Sequence, residues 1–357
     1  MMALQRILQH FSNHTHMSEQ LNKFGMGARF IPPSQLDEID LGPLKQLIGQ
    51  WESVVLPPSP NGATPTPSGW NVISVPAEKG FVFEVIPYKE NLKFSAVAVE
   101  AGNRGPVING NQFNQEITGL FYEQQIISVC DTEFCQARGF ENGKVIHAET
   151  GLFLYVTNYN SGLNIARLGT VPHGNALLAL GSSKNSTDPG SSFFPEISAL
   201  AFNLDGSAPG GFGYNENITL DPQFAEFNQV NPNTFLESTL KQIVGSGSIT
   251  NMTTLDMSTK NPDATGGILN IPFIQTNVTA TAMDATFWLE QITGGSESEL
   301  LQYSQTINLV FPLGGNVVPI VWPHITISTL KRMPEPPQQA ENKVMLGASE
   351  TPGVPQL

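Results

Sequence analysis

The amino-acid sequence predicts an all-β protein, a closed antiparallel up-and-down β-barrel of about 8–12 strands with a short N-terminal helix and an insertion of loops and a helix. The first observation is composition. The 357 residues are 40% hydrophobic and only 13% charged, with 33 Gly and 27 Pro, which is typical of a β protein rich in turns and long loops. The second is rhythm, because strand-like segments follow one another without intervening helices, and this favours a meander that closes on itself.

The predicted strands are short runs of apolar, β-branched and aromatic residues separated by turn signals. Glu141-Asn142-Gly143 and Asn160-Ser161-Gly162 are typical hairpin sequences. The strands are predicted at residues 70–76, 80–87, 92–99, 119–129, 145–156, 162–171, 176–181, 249–258, 269–272, 276–292, 300–311 and 317–330.

Three regions make up the predicted organisation: an N-terminal helix and connector (1–40), the barrel (41–333) with an insertion (182–250), and a flexible C-terminal tail (334–357). The N-terminal helix lies within residues 1–24, where Leu4, Ile7, Leu8 and Phe11 recur at helical spacing.

Two more helices are predicted from local signals. Residues 41–51 form a short helix that runs into the first strand, with Gly49 as a helix C-cap. Residues 232–244 form the helix of the insertion, with Asn233 or Thr234 as its N-cap. Residues 56–68 hold five prolines and are predicted to be a loop, because proline cannot donate to a hydrogen-bond ladder.

The charge balance excludes some partners. The formal net charge is −14 and the pI is near 4.8, so the surface repels nucleic acids and anionic membranes. No run is long enough for a membrane span, and the N-terminus lacks the apolar core of a signal peptide. The predicted location is the cytoplasm. Cys130 and Cys135 are therefore interpreted as two free thiols, the alternative being a pair that meets across a tight hairpin.

Few residues suggest chemistry. In the last predicted strand, Trp322, His324 and Thr326 share one face and Ile325 and Ile327 the other. An inward imidazole at His324 could coordinate a metal, or it could be a core histidine bonded to the backbone.

Three further residues are candidates. Glu149 follows His147 on the same strand face and could orient it, act as a base, or be a buried structural carboxylate. His173, in a Pro-His-Gly turn, could approach a pocket mouth or serve the turn alone. The usual dinucleotide, phosphate-loop, serine-hydrolase and zinc-protease motifs are absent from the sequence.

Three segments together resemble the nitrobindin-like haem-binding barrels, a lipocalin-type, fatty-acid-binding-protein-like family. Residues 44–51 (LKQLIGQW) are similar to the family's opening Leu-x-x-Leu-x-Gly-x-Trp. Residues 146–153 (IHAETGLF) are similar to its His-Ala-Glu strand. Residues 323–332 (PHITISTLKR) resemble its final strand.

The resemblance implies haem b, with His324 as the axial iron ligand and His147 in the same pocket, and it implies chemistry on nitric oxide or peroxynitrite, or on peroxide. Trp322, Thr326, Glu149 and His173 are the other expected pocket residues. The chain departs from the family in its length and in residues 52–68, which replace a glycine-rich run.

Two alternatives stay open. One is a haem-free carrier of a fatty acid or another apolar molecule. The other is a non-haem enzyme in which His147 and Glu149 form an acid–base pair.

Overall fold

The computed structural model describes residues 31, 33–58, 65–77, 80–156, 162–171, 174–190, 192–209, 227–261, 264–311 and 319–334. The predicted helix within residues 1–24, the turn that holds His173, and residues 335–357 of the predicted tail lie outside these ranges.

Strands dominate the described chain. They are β1 (Gly49–Ser53), β2 (Val55–Pro58), β3 (Pro65–Pro67), β4 (Gly69–Ala77), β5 (Gly80–Asn103), β6 (Val107–Ile108), β7 (Asn111–Gln112), β8 (Gln115–Ser128), β9 (Val145–Val156), β10 (Ile165–Val171), β11 (Asn175–Ser186), β12 (Phe202–Asn203), β13 (Ser248–Ser258), β14 (Lys260–Asn261), β15 (Ala264–Thr265), β16 (Gly267–Asn270), β17 (Thr279–Thr293), β18 (Glu299–Val310) and β19 (Ile320–Arg332).

The described helices are short. Two are 3-10 helices, η1 (Pro33–Glu38) and η2 (Gly42–Leu47), and three are α-helices, α1 (Glu133–Gln136), α2 (Asn233–Val244) and α3 (Pro272–Gln275). Among the described residues, no helix combines the length and apolarity needed to cross a membrane.

The main sheet closes into a ten-strand antiparallel barrel, which confirms the predicted fold class. Around the ring, β5, β8, β9, β10, β11, β13, β17, β18 and β19 each pair with the next. The gap between β19 and β5 is filled by two short strands that share one position. β1 pairs with both neighbours near one end of the barrel, and β4 pairs with both nearer the other.

Several boundaries differ from the prediction. The predicted strands 80–87 and 92–99 are one continuous strand, β5, which exchanges its neighbour β4 for β1 along its length. The insertion starts later than predicted, because residues 182–186 extend β11 and pair with β13. The proline-rich loop contains a small hairpin, since Val55 and Leu56 of β2 pair with Pro67 and Thr66 of β3.

The short helix predicted before the first strand is present as a 3-10 helix, η2, which ends at Leu47. Its three-residue repeat brings Leu44 and Leu47 to one buried face. Together with Leu41 they join the core inside the barrel. This end of the barrel is called the plugged end.

The opposite end carries the loop between β8 and β9, and we call it the disulfide end. Cys130 and Cys135 form a disulfide in this loop, so the expectation of two free thiols is wrong. The loop turns tightly because Thr132 Oγ1 accepts a hydrogen bond from the Cys135 N–H at the start of α1. That turn brings the two Cα atoms to 5.4 Å, within disulfide range.

Helix α2, which the sequence predicts at residues 232–244, packs on the outside of the barrel with one apolar face buried. Leu236, Leu240 and Ile243 are buried against outward residues such as Ile325 and Ile327 of β19. The predicted capping is wrong. Pro232 occupies the N-cap without a side-chain bond, and the Asn233 amide donates instead to the carbonyl of Pro195.

Candidate functional site

Aromatic rings fill the middle of the barrel. Phe94, Tyr122, Phe153, Phe287 and Tyr303 point inward and are buried. Neighbouring ring centroids lie between 5.1 Å (Phe287 and Tyr303) and 6.2 Å (Phe94 and Tyr122). These are favourable distances for aromatic pairs. A ligand inside the barrel must therefore lie to one side of this layer.

Arg167 lies within this aromatic layer and is only 2% exposed. Its guanidinium donates to Glu149 Oε1 at 2.9 Å, to the Tyr122 hydroxyl at 3.2 Å and to Gln305 Oε1 at 2.6 Å. Its Cζ lies 5.3–5.7 Å from the ring centroids of Tyr122, Phe153 and Phe287. The charge is thus matched by a carboxylate and by three ring faces, as burial of a cation requires.

Glu149 is the anionic partner of this group. Burial alone would raise the pKa of its carboxyl, but Arg167 and the hydrogen bonds from His147 and Tyr122 lower it to about 2. Burial raises the pKa of the Tyr122 hydroxyl, which donates to Glu149. Glu149 is therefore ionised at neutral pH and held by a fixed cation. Of the three roles considered for it, the geometry fits the buried structural carboxylate that also contacts His147.

Two glycines make room for the ion pair. Gly151 of β9 lies directly opposite Gly169 of β10. A Cβ atom at Gly169 would lie 2.6 Å from Glu149 Oε1, and one at Gly151 would lie 2.7 Å from the Tyr122 ring. Gly151, the glycine of the His-Ala-Glu-Thr-Gly segment, is therefore favoured because a side chain at this position would clash with the Tyr122 ring.

A second buried polar group adjoins the first. Glu90 accepts hydrogen bonds from Tyr303 at 2.8 Å and from Gln124 at 2.7 Å. Tyr88 donates to the carbonyl of Ile327 at 2.7 Å. Burial raises the pKa of the Glu90 carboxyl. The interior therefore holds two buried carboxyl groups whose pKa values are shifted in opposite directions: that of Glu149 is lowered by Arg167 and its hydrogen bonds, and that of Glu90 is raised by burial.

His147 lies at the border of this polar interior, and its side chain is 21% exposed. Its Nε2 lies 3.4 Å from Glu149 Oε2, a long hydrogen bond. The structure therefore brings the predicted pair His147 and Glu149 together, but Arg167 already neutralises Glu149. This arrangement orients the imidazole and makes Glu149 a poor base.

His324 faces the barrel interior, as the alternation in the last strand predicts. On the same face, Leu330 joins the inner core. Ile325 and Ile327 face outward beneath α2. His324 lies opposite Ile307 and is partly buried.

The other predicted pocket residues have separate surroundings. The Thr326 hydroxyl donates to Asn71 Oδ1 at 2.8 Å. Trp322 packs with Ile320 and Ala201 in a small apolar cluster at the disulfide end. His173 lies outside the described residues.

The two described histidines of the interior lie at the same level. His147 is one inward position beyond Glu149 toward the disulfide end. His324 is one inward position beyond Thr326, which pairs with Gln305. Arg167 bonds both Glu149 and Gln305. The two histidines lie on β9 and β19, which are four positions apart in the ring of ten strands and therefore on nearly opposite walls. The histidines thus flank one section of the interior.

Sequence reasoning missed Arg167, Tyr122, Gln305 and the Glu90 group. One signal was available for Arg167. It alternates with Ile165 and Gly169 in an apolar strand, which places its charge on the inward face. Its partners come from distant strands and carry no local signal.

Comparisons with known proteins give little beyond this geometry. No family model matches the chain, and no curated protein matches it significantly. Nine chains of solved structures match. One is the crystal structure of Rv2717c from M. tuberculosis, at 15% identity, covering 85% of this chain and 99% of that chain with a TM-score of 0.37. The site must therefore be interpreted from its own residues.

Proposed function

We propose that this barrel binds haem b in the disulfide-end section of its interior, with His324 as the axial ligand of the iron. The observation that carries the proposal is the pair of inward histidines, His324 and His147, at one level on nearly opposite walls. The aromatic layer and Arg167 fill the middle of the barrel, so the ligand lies beyond them toward the disulfide end.

The residues around His324 suit such a ligand. The cross-strand neighbour of His324 is Ile307, and Trp322 is the next residue on the same strand face toward the disulfide end. An apolar wall with one imidazole is the usual setting of a haem held by a single histidine. Among the described residues, no group of three or more His, Cys, Asp or Glu is arranged to hold a bare metal ion.

His147 is the polar group on the facing wall. Glu149 accepts from its Nε2 and so fixes which imidazole edge faces the interior. Bound haem would supply iron chemistry toward nitric oxide, peroxynitrite or peroxide, as the sequence resemblance implies. In that chemistry the other ring nitrogen of His147 would accept a proton from a molecule bound beside the haem, or donate a hydrogen bond to it once the imidazole is protonated.

One feature disfavours a fatty acid as the alternative ligand. A carboxylate headgroup inside the barrel needs a cation or hydrogen-bond donors to offset its burial, but the charge of Arg167 is already balanced by Glu149 at 2.9 Å. A neutral apolar ligand avoids this conflict and is the second candidate.

Titration with ferric haem tests the proposal. The wild-type chain should give a saturable Soret band with a sharp end point, and His324→Ala should lose it. Added imidazole should restore the band in His324→Ala by occupying the vacated ligand position. His147→Ala is the matched control, and it should bind haem with an altered spectrum.

Two results would contradict the proposal. One is the absence of a defined Soret band in the folded wild-type chain. The other is an identical spectrum for the wild type and His324→Ala. An apolar molecule that copurifies with the haem-free chain, identified by mass spectrometry, would then support the carrier.

A further inference from the structure

The rim of the barrel carries three exposed apolar side chains close together in the chain. Leu269, Ile271 and Phe273 are 77%, 51% and 73% exposed. Single apolar residues on a surface are ordinary, but three large ones within five residues mark a contact surface. We call these three residues the apolar patch.

The directions of the strands place the apolar patch at the disulfide end. β8 and β10 both pair antiparallel with β9, so β10 runs toward the disulfide end as β8 does. β11 therefore begins at that end, and β16 pairs with its first residues, with Leu269 opposite Ala176. Helix α3, which contains Phe273, follows β16 directly.

The backbone of the apolar patch is anchored on both sides. The N–H of Ile271 donates to the carbonyl of Gly174 at 3.0 Å, which ties the patch to the start of β11. The side-chain amide of Asn270 donates to the carbonyl of Ala280 at 2.9 Å, and its Oδ1 accepts from the Ala280 N–H at 3.1 Å. Leu269 and Ile271 lie two residues apart in extended backbone and so point to the same side. The fold itself therefore holds these side chains in water.

The apolar patch lies in an uncharged sector of the barrel. Residues 168–183, 264–283 and 300–330 contain no Asp, Glu, Lys or Arg, although 13% of the chain is charged. These stretches include the disulfide-end parts of β11, β17, β18 and β19. The first charged residue of β17 is Asp284, five positions and about 17 Å from the start of the strand at Thr279. Charged residues of the β8–β9 loop, such as Glu133, belong to another sector.

The size of the apolar patch fits a lipid surface better than a second copy of the chain. A buried aromatic side chain contributes at most about 250 Å², so three side chains fall short of the roughly 800 Å² that each partner buries in a stable dimer. Insertion into lipid needs no such area, because each apolar side chain that leaves water contributes by itself.

Charge decides which lipid fits. The net charge of −14 disfavours anionic lipid, whereas the uncharged sector has nothing to desolvate against a zwitterionic surface. Lys260 of β14 precedes the apolar patch in the chain and is exposed. A long lysine side chain keeps its ammonium in water beside a lipid surface.

We propose that the apolar patch inserts into the interface of a zwitterionic lipid bilayer, with the disulfide end of the barrel facing the lipid. Leu269, Ile271 and Phe273 enter the interface, and the strands of the barrel stay in water. The contact uses outer residues alone, so it does not depend on which ligand the interior holds.

Flotation of the full-length chain with phosphatidylcholine vesicles tests this contact. The wild type should float with the vesicles, and Phe273→Asp should weaken the apparent affinity at least ten-fold, because a charge would have to enter the interface. Val107→Asp is the matched control. Val107 is 62% exposed in the β6–β7 hairpin at the plugged end, so this variant should float as the wild type does. Phosphatidylserine added to the vesicles should weaken binding.

A tryptophan reporter locates the contact without placing a charge in it. Phe273→Trp adds an exposed indole to a chain whose four tryptophans are buried. Its emission should shift to the blue with vesicles, and lipids with brominated acyl chains should quench it. Val107→Trp should show neither change.

Four results would overturn the proposal. The wild type does not float, Phe273→Asp floats as well as the wild type, or the Phe273→Trp emission is unchanged by vesicles. The fourth is a dimer in lipid-free solution that Phe273→Asp dissociates, because the apolar patch would then contact a second copy.

Discussion

Glu290 and Glu149 are both buried carboxyl groups, but their surroundings act on them in opposite directions. Glu290 is fully buried beneath α2, and neither of its carboxyl oxygens has a hydrogen-bond partner among the described residues. Burial raises its pKa well above the usual value. Glu149 has Arg167 beside it, and its pKa is lowered to about 2. The two groups therefore make opposite contributions to stability as the pH changes.

Glu290→Gln should stabilise the protein at neutral pH. The carboxyl is protonated in the folded state but ionises on unfolding above about pH 4.5, so stability falls as the pH rises from there toward the raised folded pKa. The loss is about 1.4 kcal/mol per pH unit over that window. Gln has no proton to lose, so the advantage of Glu290→Gln should grow from pH 4.5 upward and vanish below it.

Urea unfolding of both proteins between pH 4 and pH 8 measures this difference. Glu38→Gln is the control, because Glu38 is exposed and its substitution should leave the pH slope unchanged. A constant difference between Glu290→Gln and wild type at every pH would show that Glu290 is ionised in the folded protein.

The ion pair of Arg167 and Glu149 should couple strongly. Arg167→Met leaves a buried carboxylate unpaired, which costs about 3–5 kcal/mol, and Glu149→Gln leaves an unpaired cation at a similar cost. The double variant should lose much less than the sum. The cost of Glu149→Gln should also shrink as the pH falls from about 4.5 to 2, because a lowered folded pKa stabilises only above the unfolded value.

A double-mutant cycle by urea unfolding gives the coupling energy. The partly exposed pair of Arg138 and Glu84 is the matched control, with an expected coupling below about 1 kcal/mol. A coupling energy for Arg167 and Glu149 no larger than this would show that the buried pair does not stabilise the fold more than a surface ion pair does.

At the scale of elements, one arginine joins the plug to the barrel wall. Arg332 of β19 donates to the carbonyls of Gln46 and Ile48, on either side of the end of η2. It also pairs with Glu299 of β18 at 2.5 Å, and its Cζ lies 4.2 Å from the Trp51 ring centroid. Arg332, at the end of the last strand, thus contacts Trp51 in the first strand and links both to η2.

Arg332→Met should therefore destabilise the fold by about 2–3 kcal/mol, because it removes charge-assisted hydrogen bonds to two backbone carbonyls. Lys331→Met is the control, since the ammonium of Lys331 lies 3.9 Å from its partners Glu52 and Glu297, and it should cost below about 1 kcal/mol. Urea unfolding measures both. Equal losses would show that Arg332 acts only as a surface charge.

The disulfide loop gives a prediction of its own. Closing a loop of about six residues contributes about 2 kcal/mol in the chain-entropy account. Cys130→Ser with Cys135→Ser should lower the free energy of unfolding by that amount, and thiol titration of the unfolded wild type without reductant should find no reactive thiol. Two reactive thiols would restore the interpretation made from the sequence.

For the whole molecule, alternation and turn signals were sufficient to predict the barrel. Alternation along the last strand alone assigned His324 to the inward face, and the outward packing of Ile325 and Ile327 agrees with it. Closure itself was predicted, but the way in which the ring closes was not, because β1 and β4 share one position through pairings distant in sequence. The partners of Arg167 come from β8, β9 and β18, and only the closed barrel brings them together.

Haem binding would stabilise the whole barrel by mass action. At a free haem concentration 100 times Kd, the folded state gains about 2.7 kcal/mol. The entropy of unfolding scales with chain length, so for a chain of 357 residues this raises Tm by roughly 3–5 °C. The rise should be present in the wild type and absent in His324→Ala, as measured by circular dichroism with and without haem. An equal rise in both proteins would show that haem binds as an apolar guest without the iron–His324 bond, and the barrel would then be a carrier.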